Sequence, residues 1–382
     1  MPIEAPPSVS VYILDQNLIS PGDVLLTSSP SGWESKAIRA ATGAPFSHAA
    51  LCVRYGQFIE AIGPGVCRLA IMATGARAKE NIRLLRLSDR AVANAADKAK
   101  AAAQVGEQYL SRGYSVPGAL GVKVAMLRDP ERAGMFCSQL VARAYDEVGI
   151  QLVPGKTPEA IAPGDLLRSP LLRDVTAEAL ILLRTDEHPP YYLDDASLVE
   201  RPHHYEVITK LEILSSEPVQ RALDQLKETP RSFWELERVL ARRKDPGLDS
   251  AILSELQKHR FAETYVQKLF GTARLEEMEK STREALAKIE RGTMSDAELR
   301  NIIWQSASIH KLLQEDVDDR REQFQGHERR YEEDGLATFG YFAALQKQLL
   351  ARSVDCLNAK TRELNALIPE TQRRGMKPGP PV

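Results

Sequence analysis

The feature that most constrains this chain is a change of text near residue 185. Before it, glycine, proline and short β-branched runs separate a few helical patterns. After the stretch DEHPPYYLDDASLVERPHHY (residues 186–205), apolar residues recur almost wholly at helical spacing. A length of 382 residues is enough for a core in each part. The sequence therefore predicts an α+β domain at 1–185, a polar linker at 186–205, an all-α helical bundle at 206–368 and a disordered tail at 369–382. Heptads are not sustained in the second part, so a bundle is expected rather than one coiled coil.

Charge narrows the partners. Basic residues number 50 and acidic ones 52, for a net charge of −2. Residues 1–184 hold 20 basic against 17 acidic side chains, and the rest 30 against 35. Such a chain is no polycation, so no nucleic-acid partner is expected. The run of Arg238, Arg242, Arg243 and Lys244 reads as a solvated helix face. Cys52, Cys67, Cys137 and Cys356 show neither C-x-x-C spacing nor a dense framework, which argues against a disulfide scaffold or structural zinc. No apolar run approaches the ~20 residues of a membrane span. The opening MPIEAPPSVSVYIL has no basic n-region ahead of an apolar core, so the expectation is a cytoplasmic protein. Export by a signal-independent route leaves no such mark.

In the first part, strands are expected at 23–27 after the Pro21-Gly22 turn, at 48–53, at 58–62 and at 82–87. Helices are expected at 35–41, at 89–110, and at 136–148, where Gly149 closes the apolar stripe. In the second part they fall at about 217–229, 232–244, 249–270, 272–291, 295–333 and 335–367. Ser232-x-x-Glu235 and Ser295-x-x-Glu298 have capping-box form, and Pro218 suits a first turn.

Three side chains could carry chemistry. Cys137 opens a helix, among free N–H groups at the positive end of the helix dipole, where a thiolate is favoured. A thiolate is nucleophilic, although a small core residue would fit the same place. His48 begins an apolar strand, where a histidine is often a hydrogen-bonded core residue. Glu60 interrupts the apolar strand FIEAI, and a buried carboxylate there needs a partner. The alternative is a Glu60 at a sheet edge, pointing to water. An imidazole oriented by a carboxylate on one nitrogen, with the other free for a thiol proton, is a general-base arrangement.

The two must share a sheet face. A plain two-residue turn at Tyr55-Gly56 would set Glu60 opposite Leu51, on the wrong side. A three-residue loop sets it opposite Ala50, diagonal to His48 at about 7–8 Å, within side-chain reach. An odd-length loop or a bulge is therefore expected, with Gly56 suited to a left-handed position. Cys52 reads as an inert core residue, and Cys67 and Cys356 have no acid–base context.

The stretches Gly22-Asp23-Val24-Leu25-Leu26, Thr42-Gly43-Ala44-Pro45-Phe46-Ser47-His48, Glu60-Ala61 and Phe136-Cys137-Ser138-Gln139-Leu140-Val141 together resemble the YiiX/YebB-like family. These are circularly permuted, NlpC-type cysteine hydrolases of the papain-like superfamily, related to the lecithin retinol acyltransferase group. Pro163-Gly164-Asp165-Leu166 and Ser169-Pro170 resemble the segment that follows the family's cysteine helix. The resemblance covers about residues 18–175. It implies a small antiparallel sheet packed on the cysteine helix and a thioester intermediate. Cys137 would be the nucleophile, His48 the base and Glu60 its orienter, with an oxyanion hole of N–H groups near Cys137. Many relatives are exported while this chain shows no signal peptide, which weighs against cell-wall peptide amides.

The first reading is thus a cysteine hydrolase or acyltransferase acting on an amide, ester or thioester. It is metal-independent and needs no cofactor. Its substrate would be a peptide, an isopeptide or an acyl lipid, and the helical domain could take a protein partner. The alternative is a non-catalytic scaffold that keeps a papain-like fold while the bundle does the recognising. A full His48/Glu60/Cys137 set argues against it.

Overall fold

The computed structural model describes residues 9–28, 36, 39–40, 43–63, 65–71, 74–113, 135–185, 202–271 and 274–376. The chain is mixed α+β, a small antiparallel-sheet region followed by a helical C-terminal region. It divides into two compact units, one of residues 1–211 and 231–235, the other of 212–230 and 236–382.

The first unit carries strands β1 (Val9–Leu14), β2 (Val24–Thr27), β3 (His48–Arg54), β4 (Gln57–Ile62), β5 (Gly65–Ala70), β6 (Gly75–Ala76), β7 (Ile82–Leu87), β8 (Leu172–Asp174) and β9 (Leu180–Thr185). Six of them form an antiparallel sheet in the order β5-β4-β3-β2-β7-β8, and three form a second sheet, β6-β1-β9. Helices α1 (Ala95–Glu107) and α2 (Cys137–Asp146) contribute to the core on one face of the larger sheet. There Ala49, Leu51, Ile59 and Ala61 meet Ala102, Leu140 and Val141. The other face puts Leu25, Ala50, Cys52, Phe58 and Leu84 in a second cluster with Ile19 and Val175. Burial on both faces explains why β3 reads as a continuous apolar run rather than an alternating one. It also makes Glu60, only 4% exposed, an exception that requires a partner.

The short helices α3 (Pro163–Leu167) and α4 (Thr176–Ala179) precede α5 (Pro202–Ser215). Residues 202–205, expected in the linker, are the start of α5. Pro202 is compatible with a helix's first position, and Glu206 bonds Lys210 at 2.7 Å one turn on. Residues 206–211, expected in the bundle, group with the first unit. A Cβ placed on Gly65 would stand 2.9 Å from Val207 Cγ1 and 3.3 Å from Leu211 Cδ1, so β5 and α5 touch where only glycine fits. The remaining linker residues 186–201, and most of the helix expected at 35–41, lie outside the described residues. The helix expected at 89–110 begins only at Ala95, after a left-handed Asn94 at φ 56°.

The second unit comprises α6 (Glu217–Leu226), most of α7 (Phe233–Arg243), α8 (Pro246–Lys258), α9 (Phe261–Phe270), α10 (Arg274–Glu290), α11 (Asp296–Asp334) and α12 (Ala337–Arg373). The single helix expected at 249–270 is two, broken at Arg260, whose φ of 48° no glycine announces. Ser295 and Glu298 form a reciprocal cap on α11 at 2.9 and 3.2 Å. The turn at Gly335 (φ 69°) folds α12 back along α11, where His310 bonds Thr361 at 3.1 Å and Arg320 bonds Ser353 at 3.1 Å. The tail expected to be disordered from 369 is helical to Arg373. Its last turn is held by Arg374, which bonds Glu370 at 2.6 Å and Asp296 at 2.8 Å. Residues 377–382 lie outside the described residues. Among the described residues no helix is long and apolar enough to cross a membrane.

Candidate active site

The β3–β4 hairpin sets the first pair. Arg54 faces Gln57 across the two-residue turn Tyr55-Gly56, with Gly56 at φ 63°. Beyond it the register shifts, so that Cys52 faces Phe58, Leu51 faces Ile59 and Ala50 faces Glu60. Val53 is the extra residue of a bulge. The turn is thus shorter than the three-residue loop, and the bulge supplies the odd count. Glu60 thereby lies on the face of His48, diagonal to it, and His48 Nε2 meets Glu60 Oε2 at 2.8 Å. The carboxylate is 5% exposed and the imidazole 25%, so the acid is sealed while the ring keeps an open edge.

The nucleophile candidate comes from the other face of the sheet. Cys137 is the first residue of α2 and His48 the first of β3. At element ends the two faces of a sheet meet, and the side chains reach each other there. There the Cys137 sulfur and the His48 ring act on each other's protonation. Nε2 is engaged by Glu60. The helix start is braced by the Gln139 side chain, whose Oε1 accepts the Phe136 N–H at 3.4 Å.

Electrostatics follow from this contact. Burial works against the charged ring, but the Cys137 sulfur and the Glu60 carboxylate outweigh it, and His48 is pushed up to about 10. Burial likewise opposes a thiolate at Cys137. The charge and hydrogen bond of His48 override it, joined by the backbone N–H groups of Ala49 and Ser138, and the thiol falls below its ordinary range. Both shifts favour the thiolate–imidazolium form. The arrangement therefore biases a thiol toward its nucleophilic form next to an acid that can protonate a leaving group.

The structure thus brings together Cys137, His48 and Glu60. The Ser138 N–H belongs to the first-turn groups expected beside Cys137, whereas the lowering influence of the Ala49 N–H comes from β3 and was not expected. Thr27, paired with His48 in the β2–β3 register, was likewise unforeseen. Cys52 and Cys67 are fully buried, Cys356 nearly so, and none of the four cysteines is in a disulfide. The basic run on α7 is largely paired off. Arg242 and Arg243 meet Glu228 at 2.7 and 2.6 Å, and Lys244 meets Asp334. Among the described residues no group of three or more His, Cys, Asp or Glu side chains is placed to hold a metal ion. No protein-family model matches the chain, and no curated protein does.

Proposed function

We propose that the chain is a cysteine hydrolase or acyltransferase of the permuted papain-like kind, related to the YiiX/YebB-like family. The observation that carries this reading is the set Glu60–His48–Cys137: a buried carboxylate 2.8 Å from one ring nitrogen, and a thiol at a helix start whose proton that same ring loosens. A structural histidine needs one such partner, not a carboxylate and a nucleophile together. The order His48, Glu60, Cys137 along the chain, and the antiparallel sheet beside the cysteine helix, support the same reading.

In the proposed reaction the Cys137 thiolate adds to a carbonyl carbon of an amide, ester or thioester. The developing oxyanion is met by first-turn N–H groups of α2, which have no partner one turn back in the helix. The intermediate collapses, the carbon–heteroatom bond breaks, and the leaving group takes its proton from His48. Water or an acyl acceptor then gives a proton to His48, attacks the thioester and releases the thiolate. Glu60 holds the ring in place through both steps.

Iodoacetamide near neutral pH tests the reading. Rapid modification confined to Cys137 is the expected result, and slow labelling spread over the cysteines favours a non-catalytic scaffold. Panels of acyl-lipid, peptide and isopeptide substrates then select among the bond types.

A further inference from the structure

One motif remains without a task in this chemistry, Pro163-Gly164-Asp165-Leu166, which forms α3. We infer that residues 157–167 are a bracket that sets the spacing of Cys137 and His48, with Ser138 and Gly164 as its two positioning contacts. The inference rests on the proposed thiol chemistry.

The bracket is tied first to the helix of the nucleophile. Ser138, fully buried and next to Cys137, donates its hydroxyl to the Ile161 carbonyl at 2.8 Å. One turn along the same helix, Arg143 pairs with Glu159, and Gln139 reaches the same carboxylate at 3.5 Å. Leu166, fully buried, lies in the core cluster that contains Cys137 and Leu140. The bracket also holds its own shape. Asp165 accepts the Ala162 N–H at 2.9 Å and meets Lys156 at 2.8 Å.

Its other contact is with the approach to the base. A Cβ placed on Gly164 would stand 2.2 Å from the Cβ of Ala44. That atom is bonded directly to backbone and cannot swing aside. From Ala44 the chain runs through Pro45, buried Phe46 and buried Ser47 to His48, and the Ser47 N–H bonds the Thr27 carbonyl at 3.1 Å. A push at Ala44 is therefore transmitted along a packed, hydrogen-bonded segment instead of being absorbed at the surface. One short segment touches both the residue after the nucleophile and the residue four before the base.

The test is the pH profile of iodoacetamide modification at Cys137 in the full chain, read by mass spectrometry. In the wild type the apparent pKa should lie well below the roughly 8.5 of a free cysteine. An ordinary value there overturns the thiol chemistry itself, and the bracket with it. Given a depressed wild-type value, Gly164→Ala should raise the apparent pKa by about one unit or more and slow modification at neutral pH by at least about tenfold, since a displacement near 1 Å is enough to separate such a pair. Adding Ala44→Gly removes the opposing Cβ and should restore most of the wild-type profile. Ser138→Ala, which replaces one small buried residue by another, should move the profile the same way by less. A folded Gly164→Ala with the wild-type profile overturns the bracket, and so does a shifted one that Ala44→Gly leaves unrestored. If Gly164→Ala does not fold, an unchanged profile in Ser138→Ala overturns it instead.

Discussion

Two buried glutamates, one in each unit, sit in opposite settings. Glu60 in the sheet is 4% exposed and Glu363 in α12 is 2% exposed. Each has a basic neighbour: Glu60 meets His48 at 2.8 Å, and Glu363 meets Lys360 one turn away on the same helix. The difference lies in what the neighbour can do next. An imidazole has a second nitrogen, and His48 acts on Cys137 as well as on Glu60. An ammonium gathers donors on one atom and hands nothing on, so the Lys360–Glu363 contact ends where it begins. A buried carboxylate is thus a sign of function only through its partner's second contact. Elsewhere it is a charge that the fold has had to neutralise.

The sharpest way to break the comparison is to remove the nucleophile. Cys137→Ala should abolish turnover of whatever substrate the wild type accepts, a loss of about 10⁴-fold or more, while the melting profile stays near that of the wild type. His48→Ala should be nearly as damaging. Substrate turnover measured beside thermal melts checks both. Full activity in Cys137→Ala would end the proposal.

The same substitution applied to the two glutamates should separate their roles. Glu363→Gln leaves the 8%-exposed Lys360 without its carboxylate, and breaking such a buried pair costs about 3–5 kcal/mol. Denaturant unfolding should report that loss, while the alkylation profile of Cys137 stays unchanged. A Glu363→Gln chain as stable as the wild type would show that the bundle tolerates the charge, through water or rearrangement, and would remove the contrast.

The same contrast explains what the sequence could reveal. Glu60 was legible because a lone acid in FIEAI breaks a local pattern, and its face followed from counting residues around Gly56. The count predicted an odd register but not its form, since a two-residue turn with a bulge at Val53 and a three-residue loop give Glu60 the same place. Lys360 and Glu363 were not legible, because an (i, i+3) pair looks the same on a wet face as in a core. Long-range pairing also escaped. Val9–Leu14 pairs with Leu180–Thr185 across most of the first unit, and neither strand announces the other. The start of α5 reads as linker because it ends a polar, proline-containing stretch, although Val207 just beyond is buried. In the bundle, helix existence was legible from periodicity and caps, while the break at Arg260 depended on a left-handed residue of no special type.

The smallest expected effect belongs to Glu60→Gln, and it falls on pH dependence more than on rate. Acylation needs the imidazolium, because His48 must protonate the leaving group. With His48 pushed up to about 10, kcat/KM should hold through neutral pH and fall only as pH rises through that value. The acid limb should lie below the ordinary thiol range, where Cys137 takes up its proton. The Glu60 carboxylate is one of the causes that raise His48, and the Cys137 sulfur stands ahead of it. Replacing the carboxylate by an amide removes a negative charge beside the ring, so the imidazolium becomes easier to deprotonate and the alkaline limb moves to lower pH. The amide oxygen can still accept the Nε2–H and orient the ring, so the maximal rate should drop by about 10–100-fold rather than vanish. In Cys137→Ala the larger of these two raising influences is gone, and the His48 ring followed by NMR should titrate far below 10. An alkaline limb that stays in place in Glu60→Gln would mean that the carboxylate does not act on the ring's proton, and Glu60 would then belong with Glu363.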